Sequence, residues 1–275
     1  GYIYIGIDSL ITLNSTQNIA MTRLFVDLYT ESVIEQHYDA ELAGIHYHLY
    51  SHQGGLTLQL SGISEKQNLL LKQLLAQLQQ FSFSEETFNL IKEHLIEHWK
   101  NADNSKSISQ LFSTLSSTMQ PKSPSTENLA IALSQVDFKE FNDFCHTIFK
   151  EITLDVLVHG NWRKEEADEI QSVISQSFKD QYHQNHQVKV PILDIKDQGN
   201  IQYPLLLPEH DYAAVIYYPM EERTLATVAK TMIASQILSP HFFQQMRTEK
   251  QYGYLVGIGF VPINRYPGIA FYIQS

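Results

Sequence analysis

The stretch Tyr47-His48-Leu49-Tyr50-Ser51-His52-Gln53-Gly54-Gly55-Leu56-Thr57-Leu58-Gln59-Leu60 carries two runs of alternating side chains on either side of a polar, glycine-containing turn. That is the pattern of a β-hairpin. The same order returns near the other end, where strands are predicted at Tyr252–Phe260 and Gly268–Ile273. One offset sets Tyr47 on Tyr254, Leu49 on Val256 and Ala40 on Arg247. Beyond a longer turn, Gly55–Leu60 falls on Gly268–Ile273. The elements before each hairpin correspond too: a predicted helix over 18–35 and a short one over 39–45 in the first copy, helices over 222–238 and 241–250 in the second. Identities are few, and what repeats is the order of elements. Hairpins in both copies imply α+β units with mostly antiparallel sheets and helices on one face, rather than a parallel β-α-β sheet.

Between the copies, apolar spacing predicts helices over 64–81, 84–101, 111–119, 137–149 and 164–178, with a buried strand over 154–161. The polar segment 181–200, rich in Gln, Asp and Lys around Pro191, reads as a linker. The expected division is therefore a nearly complete unit over 1–180, the linker over 181–200 and a partial unit over 201–275. The chain opens on the alternating Gly1–Ile7 and closes on an apolar β-like run, as expected of an excerpt from a longer polypeptide.

The 275 residues include 30 acidic and 19 basic side chains, a formal net charge of −11 that disfavours a nucleic-acid groove. With 43% hydrophobic and 18% charged residues the chain can bury a sizeable core. A single cysteine, Cys145, rules out an intrachain disulfide and a thiolate zinc cage. No export signal or membrane-spanning run is visible.

One string has the order of a zinc motif. His94-Leu95-Ile96-Glu97-His98 matches H-x-x-E-H, in which two histidines at i and i+4 share a helix face and the glutamate activates a metal-bound water. On the predicted helix, Phe88, Ile91, Leu95 and Trp99 make one apolar stripe, while His94, Glu97 and His98 fall on the polar side. The candidate third ligands, Glu165, Glu166 and Glu169, belong to a charged run that reads as an ordinary helix start. His46 and His48 alternate on one strand face without an apparent third ligand. Cys145 lies on an apolar helix and reads as core.

The segments Ala40–Tyr47 and Met246-Arg247-Thr248-Glu249-Lys250-Gln251-Tyr252-Gly253-Tyr254, with Leu157-Val158-His159-Gly160-Asn161 and Tyr272-Ile273-Gln274-Ser275, resemble the pitrilysin and insulin-degrading enzyme family of inverted-zinc metallopeptidases. The resemblance implies tandem α/β-roll domains of a C-terminal half: most of a third-type, non-catalytic domain and the beginning of a fourth-type, substrate-contacting domain. It also implies a zinc endopeptidase in which the two halves of one polypeptide close around short peptides. Zinc would be bound by the N-terminal half, and none by this chain. The family's zinc helix corresponds to residues 18–35, which hold no histidine, so His94, Glu97 and His98 stand on a different helix. Arg247 and Tyr254 match the pair that reaches across the chamber to hold the substrate. No nucleic-acid or membrane partner is expected, and the expected compartment is periplasmic or secreted, with the cytoplasm left open. Two alternatives are an inactive subunit of the same fold, and a self-sufficient peptidase using His94, Glu97 and His98.

Overall fold

The computed structural model describes residues 1–34, 36–101, 106–181, 190–206 and 211–275. The predicted helix end at Glu35 and residues 182–189 of the predicted linker lie outside the described residues. The chain forms two compact units, one of Gly1–Lys100 with Thr126–Lys189, the other of Asn101–Ser125 with Val190–Ser275.

The first unit is built on four strands, β1 (Tyr2–Asp8), β2 (Ile45–His52), β3 (Gly55–Gly62) and β4 (Thr153–His159), in the order β2-β3-β1-β4 with every pair antiparallel. Register sets Ile3 opposite Leu60, Ile5 opposite Leu58 and Ile7 opposite Leu56. Alternation puts all six on one face, where none is more than 1% exposed. Each side chain so buried contributes roughly 1.5–3 kcal/mol through removal of apolar surface from water.

Helices close that face. They are α1 (Thr16–Ile34), the short α2 (Tyr38–Leu42), α3 (Ser64–Gln79) and α4 (Glu85–Asn101), then, past α5 (Ser107–Met119) of the second unit, α6 (Thr126–Ser134), α7 (Phe138–Thr147) and α8 (Lys164–Ser177). Leu24, Phe25 and Leu28 of α1 and Leu71, Leu74 and Leu75 of α3 recur at helical spacing and are buried in the same core. Phe25 meets Phe81 and Phe149 edge-on at 4.9 and 5.7 Å between centroids. Two of these helices open on a capping side chain: Asp137 accepts from the Glu140 N–H at 2.8 Å, and Ser84 from the Thr87 N–H at 3.0 Å. The helix α6 was not expected, because it is short and follows the loop-like Pro121-Lys122-Ser123-Pro124. Its burial of Leu129, Ala130 and Leu133 shows that packing against α1 stabilises it.

The second unit has three antiparallel strands, β5 (Ala213–Pro219), β6 (Leu255–Phe260) and β7 (Gly268–Gln274), ordered β5-β7-β6. The neighbours Phe271 and Tyr272 point to opposite faces of the sheet. Phe242 of α9 (Leu225–Phe243) meets Phe271 at 5.3 Å, and Phe112 of α5 meets Tyr272 at 5.7 Å. Two expectations are corrected here. The helix does not stop before Pro240 but runs through it to Phe243 and continues into a π-helical turn over Gln244–Glu249. The strand predicted from Tyr252 starts only at Leu255, because Gln251 adopts a left-handed backbone (φ 54°) and the turn folds back on itself. All pairings among the described strands are antiparallel, and the α+β class with sheet-and-helix units holds.

Candidate functional site

Arg247 lies in the π-helical turn and Tyr254 directly before β6. The intervening chain is held by main-chain bonds from Lys250 N–H to the Gln245 carbonyl (2.9 Å) and from Tyr252 N–H to the Met246 carbonyl (3.0 Å). These bonds aim the Gly253 carbonyl at the Arg247 guanidinium, whose Nη1 donates to it. That bond uses one of the five N–H donors of the guanidinium, and the side chain is exposed. Gly253 is required by close approach: a Cβ there would lie 2.3 Å from the Gln274 carbonyl oxygen.

Tyr254 is half-exposed, at 51%. Its phenolic O–H donates to the Asp211 carboxylate, and its oxygen accepts from Gln274 Nε2 at 2.6 Å. Gln274 Nε2 also donates to Asp211 Oδ2 at 2.9 Å, while its Oε1 accepts from the Ile108 N–H in the first turn of α5 at 3.2 Å. The sheet explains the convergence. Gln274 of the central strand is opposite Ala213 on one side and Leu255 on the other, so Asp211, Gln274 and Tyr254 emerge at one end of three adjacent strands. Arg247 and Tyr254 are the pair that the resemblance implies, whereas Asp211 and Gln274 carry no such expectation. The only available signal was the alignment of strand ends, which needs the register.

The other sequence candidates lie elsewhere. On α4, His94 and His98 line a cleft of about 380 Å³ together with Asp27 and Glu31 of α1 and His48 of β2. Burial pushes the Asp27 carboxyl up, while the nearby His98 and Arg23 pull it back. Among the described residues no three or more His, Cys, Asp or Glu side chains are arranged to hold a metal ion, so zinc has no fitting donor set in His94, Glu97 and His98. His46 Nδ1 pairs with Glu41 Oε2 at 2.5 Å, and His48 stacks on Tyr50 at 5.5 Å. Glu166 caps the start of α8, its carboxylate accepting from the Arg163 N–H at 2.8 Å, and that bond holds its pKa below the usual carboxylate range. Burial pushes the Cys145 thiol up, the opposite of an activated nucleophile. No described helix is long and apolar enough to cross a membrane.

Residues 1–132 match the family described as the middle or third domain of peptidase M16, and residues 233–275 the domain described as PQQ synthase PqqF-like, C-terminal lobe domain 4. The human insulin-degrading enzyme is 26% identical over 261 residues, covering 93% of this chain and 26% of its own. The crystal structure of pitrilysin superposes with a TM-score of 0.81 at 19% identity, over 100% of this chain and 29% of that one. A peptidase M16 inactive domain from Pseudomonas fluorescens superposes with a TM-score of 0.69 at 12% identity, over 100% of this chain and 69% of that one. The chain thus spans about a quarter of the length of the curated relative it matches. The chain is thus similar to peptidase M16 proteins, through a middle-domain match over residues 1–132, a C-terminal-lobe match over residues 233–275 and the fold of pitrilysin along its whole length.

Proposed function

We propose that this chain is the non-catalytic, substrate-positioning part of a zinc metalloendopeptidase that degrades short peptides in a closed chamber. The observation that carries the proposal is the Arg247–Gly253–Tyr254 turn. There a guanidinium with donors to spare and a phenol are held seven positions apart by one tight loop and both reach solvent. A guanidinium presents a rigid fork of donors suited to a peptide carbonyl on which negative charge develops. In this reading the N-terminal half of the same polypeptide would hold the zinc, which would supply Lewis-acid chemistry there. The residues of this chain orient the peptide, and proximity across the chamber supplies the rate. The periplasm or the exterior is the compartment that goes with this reading.

The test is hydrolysis of a quenched fluorogenic peptide by the whole protein carrying Arg247→Ala. The expected loss is about 10²-fold, as for removal of one charge-stabilising donor, with little change in melting temperature. An unchanged rate removes Arg247 from the site. One observation favours a second reading, an inactive subunit that lends only surface: the Tyr254 O–H is directed to Asp211. In that case the whole protein would bind peptides without cleaving them.

A further inference from the structure

The face of the first unit's sheet opposite the core bears its own ordered set of side chains. Register places them in rows across β2, β3 and β1: His46, Ser61, Tyr2; then His48, Gln59, Tyr4; then Tyr50, Thr57, Gly6; then His52, Gly55, Asp8. The β2 column is all ring-bearing (His46, His48, Tyr50, His52), and the β1 column carries Tyr2 and Tyr4 followed by Gly6 and Asp8. Tyr2 and Tyr4 stack at 6.4 Å with their planes 7° apart, and His48 and Tyr50 at 5.5 Å. The column between them, Ser61, Gln59, Thr57 and Gly55, is small or polar. Two strand spacings separate the ridges by about 10 Å, the width of an extended peptide. Across the Gly55 end, His52 Nε2 bonds Asp8 Oδ1 at 2.9 Å, and Thr57 Oγ1 meets His52 Nδ1 at 3.0 Å. The register thus sets a polar column between the ring-bearing β2 column and the Tyr2–Tyr4 pair, with the His52-paired Asp8 carboxylate at one end.

The charge of this face selects the occupant. No residue of β1, β2, β3 or β4 is Lys or Arg, and their only carboxylates, Asp8 and Asp155, both lie on this outer face. Tyrosine faces attract ammonium and guanidinium groups, and a neighbouring carboxylate adds to that attraction. Tyr2 is 45% exposed and the His46 side chain 61%, Tyr4, Thr57 and Gln59 are half-buried, and the paired His52 and Asp8 side chains are 30% and 26% exposed.

We propose that this face binds an extended peptide through its basic side chains, with Gln59 and Thr57 addressing the peptide backbone and the Tyr2–Tyr4 pair and Asp8 receiving the cations. The inference rests on the reading of the chain as peptide-handling and names the class of peptide it selects. Binding here is separate from Arg247 and Tyr254 and involves no cleavage.

The experiment is fluorescence anisotropy of the 275-residue chain with a labelled decapeptide alternating Lys or Arg with Tyr and Ala, against the same peptide with Glu at every basic position. The basic peptide is expected to bind at least about tenfold more tightly, and its affinity to fall with salt. Gln59→Lys, which sets a cation in the polar column, and Tyr4→Ala should each weaken it by about tenfold or more. Glu165→Gln, on the start of α8, should leave it within about twofold. Thr57→Lys repeats that test if Gln59→Lys alters the far-ultraviolet circular dichroism. Equal binding of the acidic peptide, or affinity unchanged by a lysine in that column of a folded chain, overturns the proposal. Because peptide hydrolysis by the whole protein is scored separately through Arg247, either reading can fail while the other stands.

Discussion

The Gln274 side-chain amide donates to the Tyr254 phenol oxygen at 2.6 Å, and the Gln274 main-chain carbonyl accepts the Tyr254 N–H at 2.9 Å. One residue, 1% exposed, therefore fixes both the backbone and the side chain of a candidate substrate contact. The other end of the same amide holds the Ile108 N–H of α5, so the start of a helix and the end of a sheet share one hydrogen-bonding group.

Replacing that group by an apolar one of similar size should leave its partners unsatisfied. Gln274→Leu is expected to cost about 1–3 kcal/mol in denaturant unfolding. Amide exchange should accelerate at Ile108 while α3, in the other unit, stays protected. Uniform acceleration through both units would contradict a local role for Gln274.

Gly253 has a different kind of constraint. A methyl group there would meet the Gln274 carbonyl oxygen at 2.3 Å, so Gly253→Ala must push β7 and the turn apart. The expected cost is about 1–3 kcal/mol, typical of overpacking. In the whole protein, peptide hydrolysis should fall more than it does for an exposed substitution such as Lys250→Ala. A melting temperature and rate equal to those of the parent would show that the turn tolerates a side chain.

His94 and His98 are exposed on α4, and among the described residues no fitting set of metal donors surrounds them. Replacing both with Ala is expected to change stability by no more than about 0.5 kcal/mol, as for surface positions away from buried networks. Hydrolysis by the whole protein should stay near the parent level. Joint loss of bound zinc and of activity would make the His94–His98 helix a genuine metal site.

Alkaline pH should expose the buried tyrosines. Burial pushes the Tyr217 phenol up to about 12 from the ordinary 10.0, and its O–H donates to the Val261 carbonyl at 3.1 Å. Between pH 10 and 12 the unfolded chain has lost this proton while the folded chain keeps it, so unfolding releases a proton. The contribution is fully present below pH 10 and is lost as pH rises through 12. Tyr29 shifts in the same direction, also by burial. Urea unfolding from pH 9 to 12 should therefore show a shallower loss of stability for Tyr217→Phe than for the parent, and parallel curves would refute the assignment.

Much of this architecture was legible from local periodicity. Ile3, Ile5 and Ile7 alternate, Leu24 and Leu28 recur at helical spacing, and Asp137 and Ser84 sit where caps belong, because each signal is complete within a few residues. The expectation for Arg247 and Tyr254 comes from the resemblance of one short segment and not from periodicity. What tertiary structure alone decided lies between distant segments. It added α6, made stable by packing on α1, and carried α9 through Pro240. It also placed α5 with the second unit, although 101–125 is flanked by segments of the first. Asp211, Tyr254 and Gln274 meet because β7 pairs with β5 and β6 in one register, Ile108 joins them from α5, and the rows of His46, His48, Tyr2 and Tyr4 flank one polar column because β3 lies between β1 and β2. Periodicity records which face a residue shows, but not which strand lies beside it, since pairing energy is set by long-range packing that no local pattern encodes.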